Sequence, residues 1–383
     1  MRKEEVQTPA IAVDIDILER NIETYHKLAK EHGKEIWPML KTHKSTEIMR
    51  RQIEAGATGV LCGTIDEAEA AAELGVKRIM YAYPVANKEN LRRIIEIGKK
   101  YDVIIRLDDA DTAAWVDREA REAHTTISCT IIVDVGLHRF GLLEEHVLSF
   151  ANTLTQFPRL KMRGISAHAG HVYAATSPEE VQRYAQDEID ILGRTAQALA
   201  QAGYKCELVT SGTTPTFRDA LKSEAIGIYH PGNYVFHDVI QMSLGVAKAG
   251  DCALYVIATV LSNPRPGEWM IDAGSKCLGL DLGAHGNDSI KGHGLIKGHP
   301  DATLVSLSEE VGKIVCKDEA AFAVGDRLDI IPNHACSTAN MTDHLIAMRG
   351  EKTAGTIPVD IRGNKTKKNV LSVCSWFAES ARD

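Results

Sequence analysis

Two features of the sequence predict an α/β fold, namely a (β/α)8 TIM barrel with an additional C-terminal β domain. From about Lys34 to Phe236, eight short β-rich runs alternate with helical stretches, the rhythm of parallel strands joined by covering helices. After roughly Leu244 the helical period gives way to closely spaced apolar runs separated by turns. With 383 residues the chain is long enough for both units. The expected division places the barrel at 16–244 and the β domain at 245–383, with residues 1–15 joining the latter as an N-terminal strand.

The predicted barrel strands are Glu35–Lys41, Thr58–Cys62, Arg78–Tyr83, Asp102–Leu107, Thr126–Val135, Lys161–His168, Cys206–Thr210 and Ala225–His230. The helices between them have one-sided apolar spacing. Leu91, Ile94 and Ile95 precede Gly98, and Ile189, Leu192, Ala196 and Leu199 precede Gly203. Thr64-Ile65-Asp66-Glu67 has the form of a capping box opening an alanine-rich helix. Ser243–Gly250 reads as the junction. Beyond it, strands are expected in Ala253–Leu261, Trp269–Asp272, Thr303–Ser306 and Leu328–Pro332, with a turn over Asn263–Gly267.

Composition narrows the function classes. A net charge of −8 offers little attraction to a phosphate backbone, and Lys365-Thr366-Lys367-Lys368 reads as a solvated loop, so no nucleic-acid partner is expected. Apolar stretches reach about ten residues, short of the roughly 18–20 that a membrane-spanning helix needs, so no membrane partner is expected either. The first residues carry charges without a following apolar segment, and eight cysteines are scattered without a C-x-x-C pair. Both point to a cytoplasmic, reduced protein.

In a barrel, chemistry sits where strands run into loops at their C-terminal ends. Lys41 ends the first predicted strand, and a lysine in a barrel mouth can attack a carbonyl to form a Schiff base; an exposed lysine in a basic turn is the alternative. Ser211-Gly212-Thr213-Thr214 and Pro231-Gly232-Asn233-Tyr234 follow the seventh and eighth strands, where barrels commonly hold phosphate. The N–H groups of Gly212, Gly232 and Asn233 with the hydroxyls of Ser211 and Thr213 can form an anion cradle. Arg139 suits a phenolate oxygen, His168 a ring face, and His171 and Tyr173 a substrate, although buried histidines often only complete a hydrogen-bond pair. In the β domain, His334 and Cys336 stand two apart and would share one face of a strand. Nitrogen and sulfur suit Zn²⁺, and two protein ligands leave positions open. The alternative is a core histidine beside a buried thiol. His285, His293 and His299 are further candidate ligands.

These motifs, in this order, resemble the fold-type III pyridoxal-phosphate enzymes, specifically the D-threonine aldolase and D-serine dehydratase family. The likeness runs from Thr8-Pro9-Ala10 and Asp14 through K-T-H-K, V-D-V-G-x-x-R-x-G, H-x-G-H-x-Y, S-G-T-T-P-T, P-G-x-Y-V-F-x-D and Asp272-Ala273-Gly274-Ser275-Lys276 to P-N-H-A-C. The resemblance implies pyridoxal 5′-phosphate bound by Lys41 as the Schiff-base lysine, Arg139 at O3′ and His168 on the ring. It places the phosphate on Ser211, Gly212, Gly232 and Asn233, with Thr213 and Tyr234 beside them. It also implies a divalent metal on His334 and Cys336, with Zn²⁺ expected and Mn²⁺ and Mg²⁺ as alternatives, and a homodimer. H-x-C is the dehydratase form of the metal pair, whereas aldolases commonly carry H-x-D. The chain departs from the family in writing Trp37-Pro38-Met39-Leu40 ahead of the lysine. The implied activity is β-elimination from a small D-β-hydroxy-α-amino acid such as D-serine, giving a keto acid and ammonia, with catalysis by Lys41, His171 and Tyr173. Retro-aldol cleavage to glycine and an aldehyde, with His171 or a metal-bound hydroxide as the base, is the alternative; an amino-acid racemase and a non-catalytic cofactor carrier rank below it.

Overall fold

The computed structural model describes residues 1–283 and 289–362. Strand β1 (Ala10–Asp14) runs straight into α1 (Ile15–Glu31), whose first turn is capped by Asp14 accepting from the Ile17 N–H at 3.0 Å. Eight strand–helix steps follow. They are β2 (Glu35–Ile36) with α2 (Thr46–Glu54), β3 (Val60–Cys62) with α3 (Ile65–Glu73), β4 (Arg78–Tyr81) with α4 (Lys88–Gly98) and β5 (Asp102–Leu107) with α5 (Ala110–Glu122). The series continues with β6 (Ile127–Ile132) and α6 (Glu144–Leu154), β7 (Leu160–Ser166) and α7 (Pro178–Gln201), β8 (Leu208–Ser211) and α8 (Phe217–Ala220), and β9 (Ile228–Tyr229) and α9 (Val239–Ser243). All eight strands are parallel, in the order β2-β9-β8-β7-β6-β5-β4-β3. The ring closes through a parallel bridge between Met39 and Leu61, with the Leu61 N–H donating to the Pro38 carbonyl at 3.0 Å.

The eight barrel strands lie where the sequence predicts them; β5 keeps its predicted bounds and the other seven are shorter. The first shows why. Trp37 and Met39 still donate to the β9 side, but Pro38 has no N–H, and Leu40–Thr42 fold into a 3-10 turn. Lys41 therefore sits on that turn rather than on a strand. The expected capping box at Thr64 is half formed. Thr64 accepts from the Glu67 N–H at 3.4 Å, whereas the Glu67 carboxylate takes the Gly63 N–H at 2.6 Å and pairs with Lys44. The barrel floor is filled by an apolar group including Trp37, Leu61, Met80, Ile104 and Leu208. The helices lay their predicted stripes on the outside, with Leu91, Ile94 and Ile95 of α4 and Leu192 and Leu199 of α7 buried.

The second sheet is mixed. It contains β10 (Leu254–Arg265), β11 (Glu268–Ile271), β12 (Leu295–Ile296), β13 (Thr303–Leu307), β14 (Gly312–Val315), β15 (Arg327–Ile331), β16 (His344–Arg349) and β17 (Lys352–Pro358), with short helices α10 (Ser275–Leu278) and α11 (Ala335–Ala339). The order is β13-β14-β11-β10-β1-β16-β17, and β15 joins β10 to β12. β1 thus lies inside this sheet, antiparallel to β10 and parallel to β16. The turn expected over Asn263–Gly267 shrinks to its last residues. β10 continues to Arg265, and the Asn263 side chain braces the hairpin by donating to the Arg265 and Glu268 carbonyls at 3.1 and 2.8 Å. Two of the sequence motifs meet here. Asp272 accepts from the Thr259 N–H at 2.7 Å and from the Thr8 hydroxyl at 2.5 Å, and Lys276 pairs with Glu310. The basic run at 365–368 lies outside the described residues. Among those described, every cysteine is free and no helix is long and apolar enough to cross a membrane.

Several histidines are buried in the barrel and its rim. Burial holds His26, His43 and His237 down to about 4 and His230 to about 3. An unfolded histidine titrates near about 6.5, so between there and about 4 the unfolded chain binds more protons than the folded one. The stability these groups contribute is complete above about 6.5 and is lost as pH falls through that window, on the order of 1 kcal/mol per histidine per pH unit. The urea midpoint is therefore expected to drop between pH 7 and pH 5 at constant slope. An unchanged midpoint would show that these imidazoles are not buried as neutral rings.

Candidate active site

A cavity of about 330 Å³ opens at the C-terminal end of the barrel, under the β domain. Lys41, Arg139, His168, Tyr173, Gly212, Thr213, Gly232, Asn233, His334 and Cys336 all line it. Ser211, Tyr234 and His171, also expected there, do not.

The backbone shapes the cradle at two glycines. Gly212 adopts φ +123°, and a Cβ on Gly232 would lie 2.7 Å from the Thr42 hydroxyl oxygen. Thr213 is braced by Thr216, whose N–H donates to its hydroxyl at 3.3 Å, and Thr214 accepts from the Tyr234 N–H at 3.1 Å. The Ser211 hydroxyl points away from the cavity and donates to buried Glu188 on α7. Tyr234 turns its ring into the protein, where its hydroxyl meets His26 Nε2 at 3.1 Å and accepts from Gln52 at 3.0 Å. Only its backbone belongs to the cradle loop.

His168 and Arg139 flank Lys41. His168 Nδ1 lies 3.4 Å from the Gly212 carbonyl, and burial, then the charges of Lys41, Arg139 and Arg106, hold its imidazole well below its ordinary range and so neutral. The Arg139 guanidinium sits over Tyr83 and Phe140, 5.9 and 5.4 Å from the ring centroids. The placement of His171 corrects the sequence expectation. Gly170–Ala174 form a 3-10 turn, and at about three residues per turn positions two apart point to different sides. Tyr173 therefore faces the cavity, while His171 packs edge-on against Tyr184, 4.7 Å between centroids, in a separate cleft with Asp187. Burial, reinforced by Cys336 and Asp238, pushes the Tyr173 phenol up, so it remains protonated.

His334 and Cys336 are adjacent for a reason other than strand alternation. β15 ends at Ile331, His334 is the N-cap of α11, and Cys336 is its second residue. Their side chains hydrogen-bond, and His334 Nδ1 lies 3.4 Å from Asp281 Oδ1 and 3.3 Å from Ser337 Oγ. Burial opposes charge on both, and the pairing outweighs it, shifting the imidazole up and the thiol toward thiolate. Cys336 Sγ is 3.4 Å from the Thr42 hydroxyl. A thiolate beside an imidazole whose other nitrogen faces a carboxylate fits a zinc-type ion with open positions. His293 and His299 are elsewhere, His299 against Phe322, and His285 lies outside the described residues. Among the described residues no group of three or more His, Cys, Asp or Glu side chains is arranged around a metal position.

Four contributors were not anticipated. Arg106 projects from β5 into the barrel, donating to Ser166 Oγ at 2.8 Å and to the Ala82 and Ala167 carbonyls at 3.3 and 3.0 Å; burial lowers it to about 10. Its signal was a lone cation in the apolar run Val103–Leu107. His230 donates from Nδ1 to the Trp37 carbonyl at 2.9 Å, which leaves Nε2 buried and without a hydrogen-bond partner among the described residues; Asn233 Oδ1 is in the same condition. Asn340 reaches from the β domain to the Lys41 and Thr42 carbonyls at 3.3 and 3.2 Å, stapling the lysine turn to α11. Asp238, buried, ties the loop after β9 to the first turn of α11. Orphaned polar atoms on residues that line one cavity with two glycines, a lysine and a neutral imidazole fit a planar phosphorylated aromatic cofactor.

Comparison with known proteins defines the class. Residues 13–238 match the model for the alanine racemase N-terminal domain, and residues 253–348 match that for the "Putative serine dehydratase domain". The chain belongs to this family, the alanine racemase-like, fold-type III pyridoxal-phosphate enzymes with an appended serine dehydratase domain. It is 30% identical over 350 residues to the D-threo-3-hydroxyaspartate dehydratase of Delftia sp. (strain HT23), covering 87% of this chain and 92% of the relative. It is 28% identical over 376 residues to the 3-hydroxy-D-aspartate aldolase of Paracoccus denitrificans (strain Pd 1222), covering 95% and 94%. Among solved structures, a cysteine-to-alanine variant of D-threo-3-hydroxyaspartate dehydratase in the metal-free form superposes with a TM-score of 0.87 at 28% identity, covering 94% of this chain and 99% of that one.

Proposed function

We propose that this chain is a pyridoxal-phosphate- and divalent-metal-dependent lyase for D-β-hydroxy-α-amino acids, and that its main reaction is dehydratase-type β-elimination to a keto acid and ammonia. The observation that carries this reading is the 3.4 Å contact between Cys336 Sγ and the hydroxyl of Thr42, the residue after Lys41. It brings the thiolate–imidazole pair of the β domain to the wall of the cavity that holds the barrel lysine. When bound, the cofactor supplies an electron sink and the metal a Lewis acid for the β-hydroxyl.

In this reading Lys41 Nζ anchors the cofactor and, once released, takes the substrate Cα proton. Arg139 faces the phenolate oxygen, neutral His168 covers the ring without adding charge, and Gly212, Thr213, Gly232 and Asn233 hold the phosphate. His334 and Cys336 hold the ion, Zn²⁺ by the softness of the sulfur. Tyr173 stays a hydrogen-bond donor toward the substrate. The position of His171 outside the cavity takes away the one side chain expected to accept the β-hydroxyl proton in retro-aldol cleavage, and with the H-x-C form of the metal pair it supports elimination. The scattered cysteines, all free among the described residues, support a cytoplasmic site, and the family architecture supports a homodimer.

The test is a product assay on cofactor-loaded protein given D-serine and D-threonine separately, with and without chelator. Keto acid and ammonia, lost on chelation, are expected. Glycine and acetaldehyde from D-threonine would make it an aldolase, and turnover indifferent to chelation would remove the metal from the reading.

A further inference from the structure

The motif P-G-x-Y-V-F-x-D ends in an acid that no step above uses. Asp238 is fully buried and accepts three hydrogen bonds on its two oxygens. Oδ1 takes the Gln241 N–H at 2.9 Å, capping α9. Oδ2 takes the Asn233 side-chain amide at 2.6 Å and the Ala335 N–H at 2.8 Å. One oxygen thus joins two places. Asn233 lines the cofactor cavity from the barrel loop, and Ala335 lies between His334 and Cys336 in the β domain.

The geometry leaves little slack. The Asn233 amide nitrogen that Asp238 fixes is also 3.6 Å from Cys336 Sγ, and its carbonyl Oδ1 is buried without a hydrogen-bond partner among the described residues. The rotamer of a cradle residue and the first turn of the metal helix therefore depend on the same carboxylate oxygen. Asn340 forms a second link between the two domains, but it reaches only backbone carbonyls. No cavity side chain takes its orientation from that link.

We infer that Asp238 is a positioning residue that couples the cofactor cradle to the metal pair, so that filling either site orders the other. The inference rests on the function proposed above, and it makes a thermodynamic claim. If the ion tightens cofactor binding by some factor, the cofactor must tighten ion binding by the same factor. Because Asn233 and Ala335 share Oδ2, an asparagine could keep both with its single amide oxygen; an alanine at 238 offers no acceptor to either, so Asp238→Ala opens the link.

The experiment measures the dissociation constant of pyridoxal phosphate, from its protein-bound absorbance, on metal-free and Zn²⁺-loaded protein. Zn²⁺ affinity is measured in parallel by competition with a chromophoric chelator, with and without the cofactor. In the wild type each is expected to tighten the other by at least about fivefold, the low end of typical coupling. In Asp238→Ala that factor is expected to fall at least about threefold, whatever happens to the separate affinities. Asn233→Ala cuts the barrel arm and leaves Asp238 capping α9; the same loss is expected there, and this variant decides should Asp238→Ala not fold. Because the readout is a ratio, a general weakening of either site does not imitate it. Wild-type protein that binds both groups without coupling, or variants that keep the full factor, would overturn the inference alone. Wild-type protein that binds neither group would overturn the proposed function with it.

Discussion

Lys41→Ala is expected to lower kcat by more than about 10⁴-fold, since a positioned general base alone contributes about 10²–10⁴ and this lysine also anchors the cofactor. Nothing nearby replaces it. Lys44, three residues on, is committed to buried Glu67, and a guanidinium, the group that Arg106 and Arg139 carry, does not act as a base. The fold is expected to survive, because the lysine turn is held by Asn340 through backbone carbonyls and not through the lysine side chain. The check is turnover of D-serine together with the visible absorbance of the Schiff base. A Lys41→Ala protein that retained that band, or a tenth of wild-type activity, would exclude Lys41 as the anchoring residue.

Cys336→Ala is the second large effect. A Lewis acid at the β-hydroxyl is worth several kcal/mol of transition-state stabilisation, which corresponds to about 10²–10³ in rate. The variant is expected to lose that much, to lose bound metal, and to be insensitive to chelators. Removing the sulfur also leaves His334 facing Asp281 without its thiolate partner, so Cys336→Ser, which keeps a small polar group, distinguishes loss of the metal from loss of local packing. Full activity of Cys336→Ala in chelated buffer would defeat every metal-dependent reading of this site.

The two corrections at the site have a common origin. His334 and Cys336 stand two apart, as do His171 and Tyr173, and spacing alone allows either pair to share a face or to diverge. The strand that would have aligned the first pair ends at Ile331, and an N-cap aligns them instead. The second pair falls on a 3-10 turn and is split between two clefts. Periodicity over a few residues after a strand end is weak, because the backbone there answers to whatever it packs against. Ser211 and Tyr234 show the same limit. Both lie in loops that the sequence marks clearly, and neither side chain faces the cavity.

What the sequence by itself determined is the part carried by local repetition and by residue chemistry. Eight β-rich runs separated by one-sided helices imply a covered parallel sheet, since strands buried on both faces must be covered by the helices that connect them, and the count of eight points to a closed ring. Lysine, glycine turns and an H-x-C pair restrict the chemistry wherever they come to rest. Only the tertiary structure decided that β1 lies between β10 and β16, that Asn340 and Asp238 hold α11 against the barrel, and that His230 keeps Nε2 buried without a hydrogen-bond partner among the described residues. These depend on contacts between residues more than ninety positions apart or on side-chain rotamers, and hydrophobic period reports neither. It records which face is buried, while the partner of that face is chosen by the packing of the whole chain.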